Sequence, residues 1–228
     1  MATISLCMIV KNESAVLARC LDSIADLMDE IIIVDTGSTD NTKEIAAQYT
    51  SRIYDFKWTS DFSAARNFSF SKATMEYIYT ADADEILDDA NRERFLRLKD
   101  ALLPEIEIVQ MKYVTQGTFD TVLNAKKEYR PKLFRRLRTF TWIDPIHETV
   151  RLTPVTFDSD VEILHCPQSL HSKRDFSIFI KAFEHDGQFS PKIRTMYAKE
   201  LLKTGDKKDF TDAKPIFQLI FDNDPADD

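Results

Sequence analysis

The stretch YIYTADADEILDD, residues 77–89, decides how the chain is interpreted, because a segment of strand-like apolar residues ends directly in acids. The acids of this stretch are Asp82, Asp84, Glu85, Asp88 and Asp89. One interpretation is an ordinary strand-to-helix turn in which one of the last two aspartates caps the helix. The other is a set of carboxylates arranged for a hard cation such as Mg²⁺ or Mn²⁺. Capping explains Asp88 and Asp89, but it leaves Asp82 and Asp84 at a strand end without a role.

The chain before this stretch alternates between apolar runs of strand length and helical patterns. Strands are predicted at 3–10, 30–35, 52–56 and 77–82, and helices at 14–28, 43–49, 61–73 and 90–102, with Ser14 as an N-cap. This alternation predicts a parallel sheet with helices on both faces, in which ligands bind beyond the carboxyl ends of the strands. The polar tails KNE (11–13), DTGSTD (35–40) and DADE (82–85) all follow strands, so they are expected at that edge.

The pattern changes after residue 103. EIEIVQMKYVTQG (105–117) and TFDTVLNA (118–125) alternate as an antiparallel pair would, and VTFDSDVEILHC (155–166) predicts another strand. Helical patterns follow from residue 172, and the last two resemble one helix-turn-helix repeat. In that repeat Tyr197, Ala198, Leu201 and Leu202 are expected to face Ala213, Phe217 and Ile220. One such repeat cannot bury its own apolar face, so it must pack on the main domain, a partner or further repeats.

Composition restricts the class of protein. The 228 residues suffice for one large domain or a domain with a small appendage, and 43% hydrophobic residues suffice for a core. A net charge of −8 argues against a nucleic-acid partner, because phosphate backbones attract basic proteins. The cysteines Cys7, Cys20 and Cys166 lack metal-ligand spacing and are expected to be free thiols in a reducing cytosol. No apolar run approaches the roughly 20 residues of a membrane span, so we expect a cytoplasmic protein without a transmembrane segment.

Four motifs together carry a family resemblance. SLCMIVKNE (5–13), EIIIVDTGSTDNT (30–42), FSAARNFS (62–69) and TADADE (80–85) resemble the nucleotide-diphospho-sugar glycosyltransferases of family two, which have the GT-A fold. IHETV (146–150) and ILHCPQS…HSKR (163–174) resemble a bacterial branch in which tetratricopeptide-like helices follow this domain. That branch includes bacteriocin peptide S-glycosyltransferases and lipopolysaccharide-core enzymes. The resemblance implies an α/β fold with a mixed, mainly parallel sheet over residues 1–170 and a short α-helical C-terminal extension over 171–228.

The resemblance also implies an activity. It predicts an inverting, metal-dependent transfer from a nucleotide-diphospho-sugar, first of all a UDP-sugar, to a peptide or saccharide acceptor. The cofactor would be Mn²⁺ or Mg²⁺, and the enzyme would work in the cytoplasm, with the inner face of the membrane as an alternative. A homodimer through the helical extension is left open. Two rival hypotheses are a nucleotidyltransferase, against which the absence of glycine in MIVKNES counts, and an inactive domain that serves as a scaffold.

The resemblance assigns the metal and nucleotide residues. Asp84 is the more direct metal ligand, Asp82 lies near the ribose or metal, and Glu85 supports them from behind. His165 would complete the metal site, although a structural hydrogen bond is the commoner role of a lone histidine at a strand end. The residues expected to contact the nucleotide-sugar are Val10, Lys11, Asn12, Glu13, Asp35, Gly37, Ser38, Arg66, Asp82 and Ala83. Among these Asp35 would bind the base, whereas Asn12 and Glu13 could equally be turn and cap residues, and Asp40 and Thr42 are expected to cap the next helix.

The catalytic base is expected in WIDPIHETV (142–150). An inverting transfer needs a carboxylate that takes the proton from the acceptor. Glu148 is the predicted base, with Asp144 as the other acid, and His147 is predicted to contact the acceptor or the metal. The sequence lacks the Glu-Asp pair of processive relatives. The basic stretch KKEYRPKLFRRLR (126–138) is interpreted as a solvated face, except for Arg130 and Arg135, which are expected to flank the acceptor cleft.

Overall fold

The computed structural model describes residues 1–115, 127–136, 142–143, 145–146, 149–150, 155–166 and 172–223. The chain divides into two compact units. The first, here called the sheet unit, comprises Met1–Trp58, Ala65–Trp142 and Val150–Gln168. The second, the helical unit, comprises Thr59–Ala64, Ile143–Thr149 and Ser169–Asp228. The helical unit therefore takes two short segments from the region before residue 170.

The first part of the chain forms the predicted alternation. Its elements are β1 (Ile4–Val10), α1 (Leu17–Ile24) with a 3₁₀ turn (Ala25–Leu27), β2 (Glu30–Asp35), α2 (Thr42–Ala46), β3 (Ile53–Asp55), α3 (Phe62–Phe70) and β4 (Tyr77–Thr80). The strands β1, β2, β3 and β4 pair in parallel, with β1 between β2 and β4. Leu6 and Met8 of β1 pack into one apolar cluster and Cys7 into another, as expected for a strand covered on both faces.

The elements that follow, up to residue 165, add four strands to the same sheet and include a separate strand pair. They are β5 (Glu85–Ile86), α4 (Asp89–Ala101), β6 (Ile108–Thr115), β7 (Lys127–Arg135), β8 (Trp142–Ile143), β9 (Thr149–Val150) and β10 (Thr156–His165). Eight strands follow the order β3-β2-β1-β4-β7-β6-β10-β5, and β8 pairs with β9. β6 and β10 are parallel, whereas β7 is antiparallel to β4 and β6, and β5 is antiparallel to β10. The predicted mixed, mainly parallel α/β sheet is confirmed.

Two details of the prediction differ from the structure. The antiparallel partner of β6 is β7, whereas the predicted partner at 118–125 lies outside the described residues. Ser14 does not cap α1, because the N-cap is Val16 and the Ser14 amide donates instead to Asp40. The capping role of Asp88 is confirmed, since its side chain accepts a hydrogen bond from the Asn91 amide.

The helical unit contains α5 (Ser172–Asp186), α6 (Pro191–Thr204) and α7 (Lys207–Asn223). Tyr197 of α6 stacks on Phe179 with ring centroids 4.6 Å apart and contacts Phe217 of α7 at 5.4 Å. Leu201 is buried as predicted, but Leu202 is 80% exposed and does not face α7. Across the part of the chain that is described, no helix combines the length and apolarity needed to cross a membrane.

Candidate functional site

Polar loops follow the carboxyl ends of β1, β2 and β4 at one edge of the sheet. Val10, the last residue of β1, pairs with Asp35, the last residue of β2. Thr80, the last residue of β4, pairs with Cys7, so the chain after β4 runs on beside the end of β1. The three polar tails therefore meet at one edge, as the sequence predicts.

Asp35 holds the loop after β2 and keeps one oxygen unpaired. Its Oδ1 accepts hydrogen bonds of 2.9 Å from the amides of Gly37 and Ser38. Gly37 has φ of 103°, a conformation that side chains other than hydrogen strongly disfavour. Asp35 is 1% exposed, and its buried Oδ2 has no hydrogen-bond partner within the described ranges. Such an oxygen is an acceptor for an incoming N–H group.

The loops after β1 and β2 are tied together by short polar side chains. Asn12 adopts φ of 56°, its amide donates to Ser38 Oγ at 2.9 Å, and its Oδ1 accepts from the Thr39 amide at 2.8 Å. The Glu13 amide donates to Thr42 Oγ1 at 2.7 Å. The hydrogen bonds of Asn12 are therefore those of a turn residue. The Ser38 hydroxyl accepts from Asn12 and so can still donate its own proton to another acceptor. This network makes the two loops one wall.

Three of the predicted contact residues reach the edge in different ways. The side chains of Val10 and Ala83 are buried in the apolar core, so contact with a ligand falls to their backbone groups. Lys11 is exposed at the end of β1. Asp40 is not the N-cap residue of α2, because Asn41 occupies that position. The Asp40 carboxylate instead accepts hydrogen bonds from the Ser14 amide and from Thr42. Burial tends to raise the pKa of Asp40, but hydrogen bonds from Thr42 and Ser14 outweigh it and lower this pKa to about 2.

The acids after β4 form a fixed turn beside His165. Asp84 Oδ2 lies 3.0 Å from His165 Nε2, and both side chains are partly buried. The other ring nitrogen of His165, Nδ1, is buried without a partner among the described residues. Asp82 is exposed, and its amide donates to Glu85 Oε2 at 3.2 Å. Asp82 and Asp84 therefore lie on one turn, and His165 at the end of β10 contacts Asp84; their role as metal ligands stays a prediction.

Glu85 is a buried ion-pair partner, and Lys132 is the cation that sequence reasoning missed. The Nζ of Lys132 lies 2.5 Å from Glu85 Oε1, and the two side chains are 7% and 2% exposed. Burial raises the pKa of Glu85 although Lys132 acts in the opposite direction. Loss of hydration by its carboxylate tends to raise the pKa of Asp82, but the positive charges of Lys132, Arg66 and Arg130 hold this pKa below its ordinary value. The acidic cluster at 82–85 was a sequence signal that a cation from elsewhere in the chain pairs with it, but it does not identify which residue.

Arg66 and Asn67 lie on the sheet-unit part of α3 beside Trp142. The guanidinium of Arg66 lies 4.9 Å from the centre of the Trp142 ring. Asn67 pairs with the backbone of Trp142, donating to its carbonyl at 3.1 Å and accepting from its amide at 3.0 Å. The positive charge of Arg66 also acts on Asp82, while its predicted contact with the nucleotide-sugar stays a prediction.

The two arginines predicted at the acceptor cleft lie in different places. Arg130 covers the ring of Tyr113 at 3.7 Å, and Tyr113 contacts the His165 ring at a centroid distance of 5.0 Å. Arg130 is thus linked to the acidic turn. Arg135 pairs with Tyr77 at the beginning of β4, so it lies at the opposite edge of the sheet and its expected location is wrong. A strand of nine residues carries its two ends to different edges.

The donor set fits a hard cation that shares its coordination with a substrate. No group of three or more His, Cys, Asp or Glu side chains ready to hold an ion is found within the described ranges. Mg²⁺ and Mn²⁺ are commonly held by one or two carboxylates together with waters and substrate phosphates. Asp84, with His165 beside it, supplies one such carboxylate, and Asp82 on the same turn is exposed. The predicted catalytic residues Glu148 and His147, and also Asp144, lie outside the described residues and stay predictions.

Comparison with known sequences gives a family match. Residues 5–153 match the family described as Glycosyl transferase family 2. A TPR repeat-containing protein of Synechococcus elongatus is 48% identical over 87 residues, which are 38% of this chain and 22% of that protein. The glycosyltransferase SunS of Bacillus subtilis is 33% identical over 132 residues, 56% of this chain and 31% of SunS. The lipopolysaccharide core biosynthesis glycosyltransferase LpsC of Rhizobium meliloti is 31% identical over 99 residues, 42% of this chain and 33% of LpsC. The chain therefore spans a third or less of the length of these relatives.

Solved structures agree with the fold. Glucosyl-3-phosphoglycerate synthase of Mycobacterium tuberculosis, in complex with Mn²⁺, UDP-glucose and phosphoglyceric acid, aligns with a TM-score of 0.58 at 19% identity over 83% of this chain and 82% of that chain. The same enzyme with Mg²⁺ and UDP aligns with a TM-score of 0.57 over 83% of this chain and 81% of that chain, at 18% identity. At such identities the likeness is one of fold.

Proposed function

This chain belongs to glycosyltransferase family 2, and from that premise we propose that it transfers a sugar from a nucleotide-diphospho-sugar in a divalent-cation-dependent, inverting reaction. The observation that carries the proposal is the meeting, at one sheet edge, of the unpaired Asp35 oxygen with the turn that bears Asp82 and Asp84. The complexes of the mycobacterial synthase contain UDP-glucose with Mn²⁺ or UDP with Mg²⁺, which supports a UDP-sugar as the first donor to test.

In this proposal the loops after β1 and β2 bind the nucleoside. The buried Oδ2 of Asp35 accepts a hydrogen bond from an N–H group of the base, which uracil carries on its imide nitrogen. Asn12 and Ser38 hold the two loops at a fixed spacing. Lys11, Glu13 and the backbone of Val10 line the same wall, and Arg66 supplies positive charge for the phosphates.

Asp84, His165 and Asp82 hold Mn²⁺ or Mg²⁺ in this proposal. When bound, such an ion neutralises the charge that develops on the departing diphosphate. Glu85 holds the backbone of this turn at the Asp82 amide, and His165 contacts the Asp84 carboxylate, so both aspartates start from a turn that is already formed. His165 presents Nε2 toward Asp84, and Tyr113 packs against its ring and limits its rotation.

The acceptor side of the proposal rests on the family resemblance and on relatives. We retain Glu148 as the base and His147 as its neighbour at the acceptor. The name of LpsC supports a saccharide acceptor, and a peptide is the alternative class. We assign the transfer to residues 1–170 and acceptor or partner binding, including a homodimer, to 171–228. The free thiols of Cys7, Cys20 and Cys166 support a reducing compartment such as the cytoplasm, with its membrane face as the alternative.

Equilibrium binding of UDP and GDP with and without Mn²⁺ tests the donor site. We expect the wild type to bind one nucleotide at least about tenfold more tightly with Mn²⁺, which corresponds to about 1.4 kcal/mol. Asp84→Asn should lose this enhancement, because it removes a charged donor while keeping the shape of the side chain. The matched control is Asp89→Asn, an exposed aspartate in the first turn of α4, which should retain it. Nucleotide binding that is indifferent to Mn²⁺ in the wild type would contradict the proposal.

A further inference from the structure

The acidic turn carries three carboxylates within four residues, and a single buried ammonium lies beneath it. We infer that Glu85 is a positioning residue: it fixes the turn that presents Asp82 and Asp84, and Lys132 supplies the counter-charge that allows its carboxylate to be buried there. The part of this inference that concerns ligand binding rests on the proposed function. Lys132 itself reaches no ligand, because its side chain is buried and pairs with Glu85.

The cation comes from a neighbouring strand rather than from the turn itself. Lys132 stands on β7, next to Leu133, which pairs with Tyr79 near the end of β4. Its ammonium donates to Glu85 Oε1 at 2.5 Å, at a place where both side chains are almost fully excluded from water. A buried carboxylate needs such a partner, because removal of one member leaves an uncompensated charge. The position of Glu85 is therefore bound to β7.

Glu85 also holds the backbone of the turn that carries the two proposed ligands, Asp82 and Asp84. Its second oxygen, Oε2, accepts from the Asp82 amide at 3.2 Å, and its own amide donates to the Asp82 carbonyl at 3.1 Å. On the other side the Asp84 carbonyl accepts from the Cys166 amide at 3.0 Å. Hydrogen bonds thus hold the backbone at Asp82, Asp84 and Glu85. This restricts the directions in which the side chains of Asp82 and Asp84 can leave the turn.

Lys132 also lowers the negative charge of the turn. Its ammonium offsets one of the three carboxylates, and Arg66 and Arg130 add further positive charge near Asp82. If Lys132 were absent, the carboxylates of Asp82, Asp84 and Glu85 would repel each other more strongly, because they lie close together in surroundings of reduced dielectric. Lys132 thus reduces this repulsion before a cation binds.

Two matched double variants separate positioning from simple stabilisation. Lys132→Met alone strands a buried carboxylate and is expected to unfold the protein, so it is not informative. Lys132→Met/Glu85→Gln removes both charges but keeps an oxygen that can accept from the Asp82 amide. Lys132→Met/Glu85→Met removes both charges and that acceptor. Both replace a buried ion pair by neutral groups of similar size, so thermal unfolding should show similar stabilities for the two.

Amide hydrogen exchange at Asp82, measured at equal stability, tests the inference without any ligand. Lys132→Met/Glu85→Met (Met/Met) should exchange this amide about fivefold or more faster than Lys132→Met/Glu85→Gln (Met/Gln), as expected for the loss of one hydrogen bond. Exchange that is equal in the two variants would overturn the positioning role. This outcome does not depend on whether the protein binds a nucleotide.

Titration with UDP and Mn²⁺, and with Mn²⁺ alone, tests the consequence for binding. We expect Met/Gln to bind UDP–Mn²⁺ within about threefold of the wild type and Met/Met to bind about fivefold or more weakly, as for one lost hydrogen bond. Equal, wild-type affinity in both would overturn the role in ligand presentation. Failure of the proposed function looks different, because then the wild type itself binds neither probe while the exchange experiment still decides the positioning role.

Discussion

Replacing Asp35 by Asn tests the nucleoside site most selectively. The Asn side chain keeps the oxygen that accepts from the Gly37 and Ser38 amides, so the loop after β2 should retain its shape. It replaces the unpaired, buried Oδ2 by an amide nitrogen, which donates rather than accepts. The substitution thus changes the hydrogen-bond character of one atom while leaving the turn intact.

The expected loss of affinity follows from the bond that is removed. A hydrogen bond to a charged acceptor contributes about 1.5–3 kcal/mol, so UDP should bind about 10- to 150-fold more weakly. The folded protein should not lose stability, because the substitution removes a buried carboxylate whose second oxygen has no partner in the part of the chain that the structure describes. Calorimetric titration with UDP and Mn²⁺, together with thermal unfolding, measures both effects.

Two outcomes would refute this reasoning. If Asp35→Asn binds UDP as the wild type does, Oδ2 does not contact the base. If the variant unfolds at a markedly lower temperature, the carboxylate serves the loop rather than a ligand. Asp35→Ala is the control, because it removes the turn bonds as well and should lower both affinity and stability.

Three further predictions concern stability. Asp88→Ala should cost about 1 kcal/mol in thermal unfolding because it removes the N-cap of α4, whereas Asp89→Ala should cost less than half of that; equal losses would contradict the cap. Leu201→Ala should cost about 2–5 kcal/mol and Leu202→Ala less than about 0.5 kcal/mol, since only the first is buried; chemical denaturation compares them. The pKa of Asp40 is lowered to about 2, so its contribution to stability is present above pH 4 and is lost as the pH falls through 2. Asp40→Asn removes this contribution and should flatten the decline of the melting temperature between pH 4 and pH 2. An unchanged decline would contradict the role of Asp40.

The sequence predicts the sheet well where one strand is covered on both faces. The apolar runs of β1, β2 and β4 have no other explanation than burial, and the acids that follow them mark the strand ends. It fails where pairing is decided by distant parts of the chain. β5 has only two residues, and the pairing of β7 between β4 and β6 joins segments that no local pattern connects.

At the candidate site, too, local patterns in the sequence are informative and contacts between distant segments are not. The positions of Asp35 and Asp84 near strand ends could be predicted because polar side chains there stand out against apolar runs, whereas their roles come from the family resemblance. Lys132 could not, because alternation in β7 shows which residues share a face but not that a lysine points inward to a carboxylate from another strand. Leu202 was misplaced for a related reason, since two adjacent leucines on a helix cannot both face the same neighbour.

The central claim is that the strand end at Asp82 and Asp84 presents a cation to a nucleotide diphosphate. The most direct measurement is hydrolysis of a panel of UDP- and GDP-sugars with Mn²⁺ or Mg²⁺, followed as release of the nucleoside diphosphate, for the wild type and Asp84→Ala. The account predicts slow, metal-dependent release from one donor that is lost in the variant. Absence of release and of metal-dependent binding with every donor, in a wild type that is folded, would contradict it.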